Sequence, residues 1–113
     1  MEGAWTVFEE LSGGLADRPG DDWVRLADGG DLIHAGYNDA IAWAEFVQVD
    51  RGQLVRHFMQ DEDDPSAAVD IGRLPEEAGA PWTRWTDVAR WVDEKDGDFT
   101  ARARGLLWIH QVA

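Results

Sequence analysis

The 113-residue chain carries 23 acidic and 10 basic residues, a formal charge of −13, and is 44% hydrophobic with no cysteine. This balance rules out disulfides, thiol nucleophiles and thiolate metal sites. It disfavours nucleic-acid phosphate and anionic membranes as partners, and it is too apolar for a disordered chain.

The first residues, Met1-Glu2-Gly3-Ala4-Trp5, lack the basic stretch and apolar run of a signal peptide. No apolar run reaches bilayer length. A single domain over residues 1–113 in the cytoplasm is therefore the expectation. Trp5-Thr6-Val7-Phe8 reads as a strand, and Ser12 to Asp22, with Gly13-Gly14 and Pro19-Gly20, reads as a loop. Trp23-Val24-Arg25-Leu26 and Leu32-Ile33-His34-Ala35 read as two strands of a hairpin turned by Asp28-Gly29-Gly30-Asp31.

The clearest local pattern follows. From Ala40 to Val49, Ile41, Trp43, Val47 and Val49 alternate with Ala42, Ala44, Phe46 and Gln48, with Glu45 the polar exception on its face. After Asp50-Arg51-Gly52 comes Leu54 to Met59, so a central hairpin is expected, with Gly52 supplying a positive φ in a loop of three or four residues. Its two part-apolar faces suggest a helix on one side and loops on the other. Asp61-Glu62-Asp63-Asp64-Pro65 is an acidic turn. Trp82, Trp85, Val88, Ala89 and Val92 recur at helical spacing, which predicts one main helix over about 83–92 capped by Thr83 or Thr86. Trp91 falls off that stripe. Leu106 to Val112 reads as a final strand or a docked tail, with the strand preferred. The predicted fold is α+β: an antiparallel sheet of about five or six short strands with that helix packed on one face.

Little of this supports chemistry. His34, His57 and His110 are the histidines; His34 and His57 on adjacent strands, with Glu45 nearby, would give an acid–base pair. The favoured reading is that each is a lone, hydrogen-bonded or surface histidine. No H-x-H or H-E-x-x-H spacing exists, and the runs at Asp61 and Asp93 lack the glycine and glutamate of a calcium loop, so no metal or cofactor is expected. Only Ser12 and Ser66 are serines, with no nucleophile elbow, and the glycine pairs are too short for a phosphate loop.

Acidity favours a basic protein partner, because complementary charge raises encounter rates; it also serves solubility alone. Seven of the twelve aromatic residues are tryptophan. Trp5, Trp43 and Trp85 are expected in the core, whereas Trp82, Trp91, Trp23 and Trp108 look surplus to it. A partner surface made of Asp61, Glu62, Asp63 and Asp64 with Trp82 and Trp91 would suit arginine side chains.

Gly36-Tyr37, Ala44-Glu45-Phe46, Gly52-Gln53-Leu54-Val55-Arg56, Asp64-Pro65, Gly72-Arg73-Leu74 and Trp85-Thr86-Asp87-Val88-Ala89 together resemble small uncharacterised proteins of actinobacteria and other bacteria. Some of these look like immunity proteins of polymorphic toxin systems. The likeness spans Gly36 to Asp93, about half the chain, and rests on structural rather than catalytic positions. It implies a non-catalytic inhibitor that neutralises a basic partner such as a toxin, and it carries over no binding residue. Two alternatives stay open: an accessory protein that self-associates or docks through an apolar patch, and a small enzyme using His34, His57 and Glu45. A small-ligand binder is a lesser one, and the oligomeric state is not legible.

Overall fold

The computed structural model describes residues 5–9 and 18–110. Strand β1 is Thr6–Glu9, helix α1 Gly20–Ala27, and strands β2, β3, β4 and β5 are Asp31–Asn38, Trp43–Asp50, Gln53–Asp61 and Val69–Gly72. Helix α2 is Trp85–Asp96 and strand β6 is Ala103–His110. One antiparallel sheet runs in the order β1-β6-β2-β3-β4-β5. The fold is α+β, with β6 inserted between the edge strand β1 and β2.

The predicted central hairpin is β3–β4. Its loop has two residues rather than three or four, because Asp50 pairs directly with Gln53. Arg51 and Gly52 both take positive φ, 49° and 77°, the pattern of a turn whose twist matches that of the strands. The register shifts after Gln48, so that Val49 faces Leu54 while Val47 faces His57. The extra residue at this bulge, Val55, lets Leu54 and His57 share one face of the sheet.

The expected strand at Trp23–Leu26 is instead the middle of α1. Pro19 leads in, Asp21 and Asp22 occupy the positive first turn, and Asp28 closes the helix in a left-handed conformation. Trp23 and Ala27, one turn apart, are buried at 0% and 1% exposure against Leu32, Val47, Val49 and Leu107. Burial of a large apolar side chain stabilises by about 1.5–3 kcal/mol, enough to override the extended preference of a four-residue run. The hairpin expected across Asp28–Asp31 is therefore absent. Of the expected loop, residues 12–17 lie outside the described residues, and Gly20–Asp22 are helical.

Helix α2 covers the opposite face. The caps expected at Thr83 or Thr86 are replaced by Asp87, whose carboxylate accepts from the backbone N–H groups of Thr83 and Arg84. Gly97 ends the helix at φ 80°. Val88, Trp91 and Val92 face inward and pack with Ile33, Phe46, Leu106 and Trp108. Both faces of β3 are thus covered by helices, not by one helix and loops. Of the expected C-terminal segment, Leu106 to His110 belong to strand β6, which is paired on both sides, and Gln111 and Val112 lie outside the described residues.

Candidate functional site

Two groups of ionisable residues are buried, one on each face of the sheet. On the α1 face, His34 on β2 and His57 on β4 both pair with Val47 of β3, from opposite sides. Cross-strand partners point the same way, so all three side chains share this face. Glu45, two residues before Val47, points there too. The histidines therefore meet across an intervening strand, not on adjacent strands, and the carboxylate lies between them. His34 Nε2 is 3.4 Å from Glu45 Oε1 and His57 Nε2 is 3.4 Å from Oε2. Trp23 stacks on the His34 ring at 4.6 Å and 16°. The start of α1 lies over β4, since a Cβ on Gly20 would stand 3.0 Å from Leu54 and 4.0 Å from His57 Nδ1.

This trio has the parts for proton exchange between an imidazole and a carboxylate. However, His34, Glu45 and His57 are only 3%, 1% and 5% exposed, so a substrate would have to displace α1. Among the described residues, neither nitrogen of His34 nor the Trp23 indole N–H has a hydrogen-bond partner. Metal-binding imidazoles usually donate their second N–H to a neighbour, and His34 does not. Among the described residues no group of three or more His, Cys, Asp or Glu is placed to hold a metal ion.

On the α2 face lies a group that local sequence patterns do not reveal. Arg56, fully buried, donates from Nε and Nη2 to the two oxygens of Glu77 at 2.9 and 2.8 Å. Its Nη1 reaches Asp70 at 2.7 Å and the Ile71 carbonyl at 3.0 Å. Glu77 also accepts from the backbone N–H groups of Leu74 and Trp82. Burial favours the neutral acid, but the Trp82 and Leu74 amides and the Arg56 guanidinium outweigh it and hold the Glu77 carboxyl below its usual pKa. The pair fastens the segment between β5 and α2 onto the sheet.

That fastening decides the fate of the expected tryptophan surface. Trp82 packs edge-on to Phe46 and Phe58, with the Arg56 guanidinium 5.6 Å from its ring. Trp91, 9% exposed, sits between Phe46 and Trp108. Trp91 is thus buried, whereas Trp82 is half-buried against the core. The expected division of the tryptophans shifts: Trp23, Trp91 and Trp108 are buried, while Trp5, Trp82 and Trp85 are half-buried against the core and Trp43 is half-buried as well. The inward face of α2 is centred on Val88, Trp91 and Val92, with Trp85 and Ala89 on its flank, and Trp23 belongs to a helix that the strand reading concealed.

The acidic turn Asp61–Asp64 lies at one end of the sheet. Its form is set by its own carboxylates: Asp61 accepts from the Asp63 amide and Asp64 from the Ser66 hydroxyl. Glu62, Asp63 and Asp64 are exposed, and Arg84 pairs with Glu62. Two other loops share this end. The β2–β3 turn carries Asp39 and Ile41, and the α2–β6 loop carries Asp98 and Phe99. They are joined by Asp39 N–H donating to the Arg102 carbonyl at 2.9 Å, and the β2–β3 turn meets the acidic turn through Glu62 N–H donating to Ala42 at 3.1 Å.

In comparisons with known proteins, no family, no curated protein and no solved structure matches this chain. Among the described residues no helix is long and apolar enough to cross a membrane.

Proposed function

We propose that the protein is a non-catalytic, acidic protein-binding module that neutralises a basic partner, in the manner of an immunity or inhibitor protein facing a toxin. The observation that carries this reading is the turn at Asp61–Asp64. Adjacent carboxylates repel one another, and Arg84 offsets only Glu62; hydrogen bonds from Asp63 N–H to Asp61 and from Ser66 to Asp64 hold the turn in one form with Asp63 and Asp64 exposed. A cationic partner would relieve that repulsion, and the overall charge of −13 would steer it in. The resemblance over Gly36 to Asp93 points the same way, and a cytoplasmic location suits such a role. The test is affinity capture from the native host at low salt, with an Asp61→Asn, Asp63→Asn, Asp64→Asn variant alongside. A basic protein held by the native chain and lost from the variant supports the reading; recovery of no basic protein removes its main support.

A second reading, a small enzyme, rests on the meeting of His34, Glu45 and His57. Any activity found should vanish in the His34→Ala, His57→Ala double variant, and unchanged activity would end that reading.

A further inference from the structure

The loop end of the sheet also exposes large apolar groups. Phe99 is 70% exposed and Ile41 is 50% exposed. An exposed phenylalanine at a fraying loop would mean little, but this loop is tied down. The Asp98 carboxylate accepts from the Thr100 amide and hydroxyl at 2.9 and 2.7 Å. Tyr37, 3% exposed, lies with its hydroxyl 2.6 Å from Asp93 and 3.1 Å from the Ala101 carbonyl. The Ile41 turn is anchored in turn: Ala40 N–H donates to Asn38, and Asp39 N–H to the Arg102 carbonyl. Phe99 is therefore flanked on both sides by fixed backbone and still faces solvent.

In sheet order, the loop before β6 comes first, the β2–β3 turn next and the β4–β5 turn last. The end of the sheet thus presents Asp98 and Phe99, then Asp39 and Ile41, then Asp61 to Asp64, and these six carboxylates are only partly offset by three arginines: Arg104 at 3.8 Å from Asp98, Arg102 at 3.4 Å from Asp39, and Arg84 on Glu62. Apolar anchors beside charged groups are the layout of an interface centre and its rim. The Thr100 hydroxyl and amide keep the Asp98 carboxyl below its usual pKa, so the negative charge stays at the rim. A second copy of this chain would bring a net negative surface against another, since the carboxylates here outnumber Arg84, Arg102 and Arg104, which favours a basic partner over self-association.

We infer that Ile41 and Phe99 form the apolar anchor of a docking surface for a basic polypeptide, with Asp39, Asp98 and the Asp61–Asp64 turn as its anionic rim. This inference rests on the basic-partner reading and adds where and how the partner is held. The partner segment carries arginine or lysine interspersed with apolar side chains. The cations meet the rim, and an apolar group covers Phe99.

Two synthetic peptides of equal length and charge test this, one alternating arginine with leucine and the other arginine with serine. Calorimetric titration at low salt is read together with amide shift mapping. The arginine–leucine peptide should bind about tenfold tighter, the gain expected from covering one large apolar side chain. Its shifts should centre on Ile41 and Phe99, and its advantage should disappear in the Ile41→Ser, Phe99→Ser variant with the fold unchanged by circular dichroism. Equal affinity for both peptides, with shifts confined to the Asp61–Asp64 turn, would overturn this inference and leave the basic-partner reading standing. If neither peptide binds at low salt, both fall.

Discussion

The two faces of the sheet bury charge in opposite ways. On the α2 face, Arg56 and Glu77 are satisfied by each other, by Asp70 and by backbone groups. On the α1 face, His57 hydrogen-bonds Glu45 at 3.4 Å and His34 Nε2 lies 3.4 Å from the same carboxylate, while His34 Nδ1 and the Trp23 indole N–H find no hydrogen-bond partner among the described residues. A fully paired buried ion pair locks a segment in place, whereas unpaired buried polar atoms lower the stability of whatever covers them. The first face reads as a clamp. The second reads as a polar floor beneath a short helix, held down mainly by the apolar contacts of Trp23, Val24 and Ala27.

The largest effect should come from breaking the clamp. Arg56→Leu or Glu77→Leu alone leaves a buried charge unpaired and should lower unfolding free energy by about 3–5 kcal/mol in urea. Changing both to apolar residues should cost less than either single change. The clamp also sets acid sensitivity. A carboxyl held below its unfolded pKa contributes stability that is present above that value and lost as pH falls through the folded one. Stability should therefore decline as pH drops below about 4.5, the ordinary value for this group, and more gently in Glu77→Gln.

Trp23→Ala comes next, with an expected loss of about 3 kcal/mol from cavity formation. Hydrogen exchange should show α1 losing protection while α2 keeps it; equal loss in both helices would contradict the separation of the two faces. His34→Phe keeps a ring stacked on Trp23 but takes the Nε2 contact at 3.4 Å away from the buried Glu45 carboxylate. It should lower stability by about 1 kcal/mol, less than Arg56→Leu. The smallest effect belongs to Phe99→Ser, within about 0.5 kcal/mol by thermal melting, because the side chain is already in water.

These faces were unequally legible. The β3–β4 hairpin stood out because period-two alternation and a glycine needing positive φ coincide there, and α2 because its stripe runs over several turns. Helix α1 was hidden: four residues, Trp23 to Leu26, fit an extended pattern as well as a helical one. Its true signals were Pro19 followed by Asp21-Asp22, and the one-turn spacing of Trp23 and Ala27. The meeting of His34, Glu45 and His57 followed from strand parity, but the intervening strand did not. Arg56 and Glu77 lie 21 residues apart on segments that only the tertiary fold brings together. The same applies to Phe99 and Ile41, whose loops meet only once β6 is inserted beside β2. The tryptophans misled because size suggested surplus, whereas two helices, not one, were there to bury them.

We propose that the acidic loop end, rather than either buried group, is where the protein meets its partner. Titration of the arginine–leucine peptide over a salt series, with the native chain and with the Asp61→Asn, Asp63→Asn, Asp64→Asn variant, tests it most directly. Affinity should fall as salt rises in the native chain, with weaker, flatter binding in the variant. Identical affinity and identical salt dependence for the two proteins would contradict it.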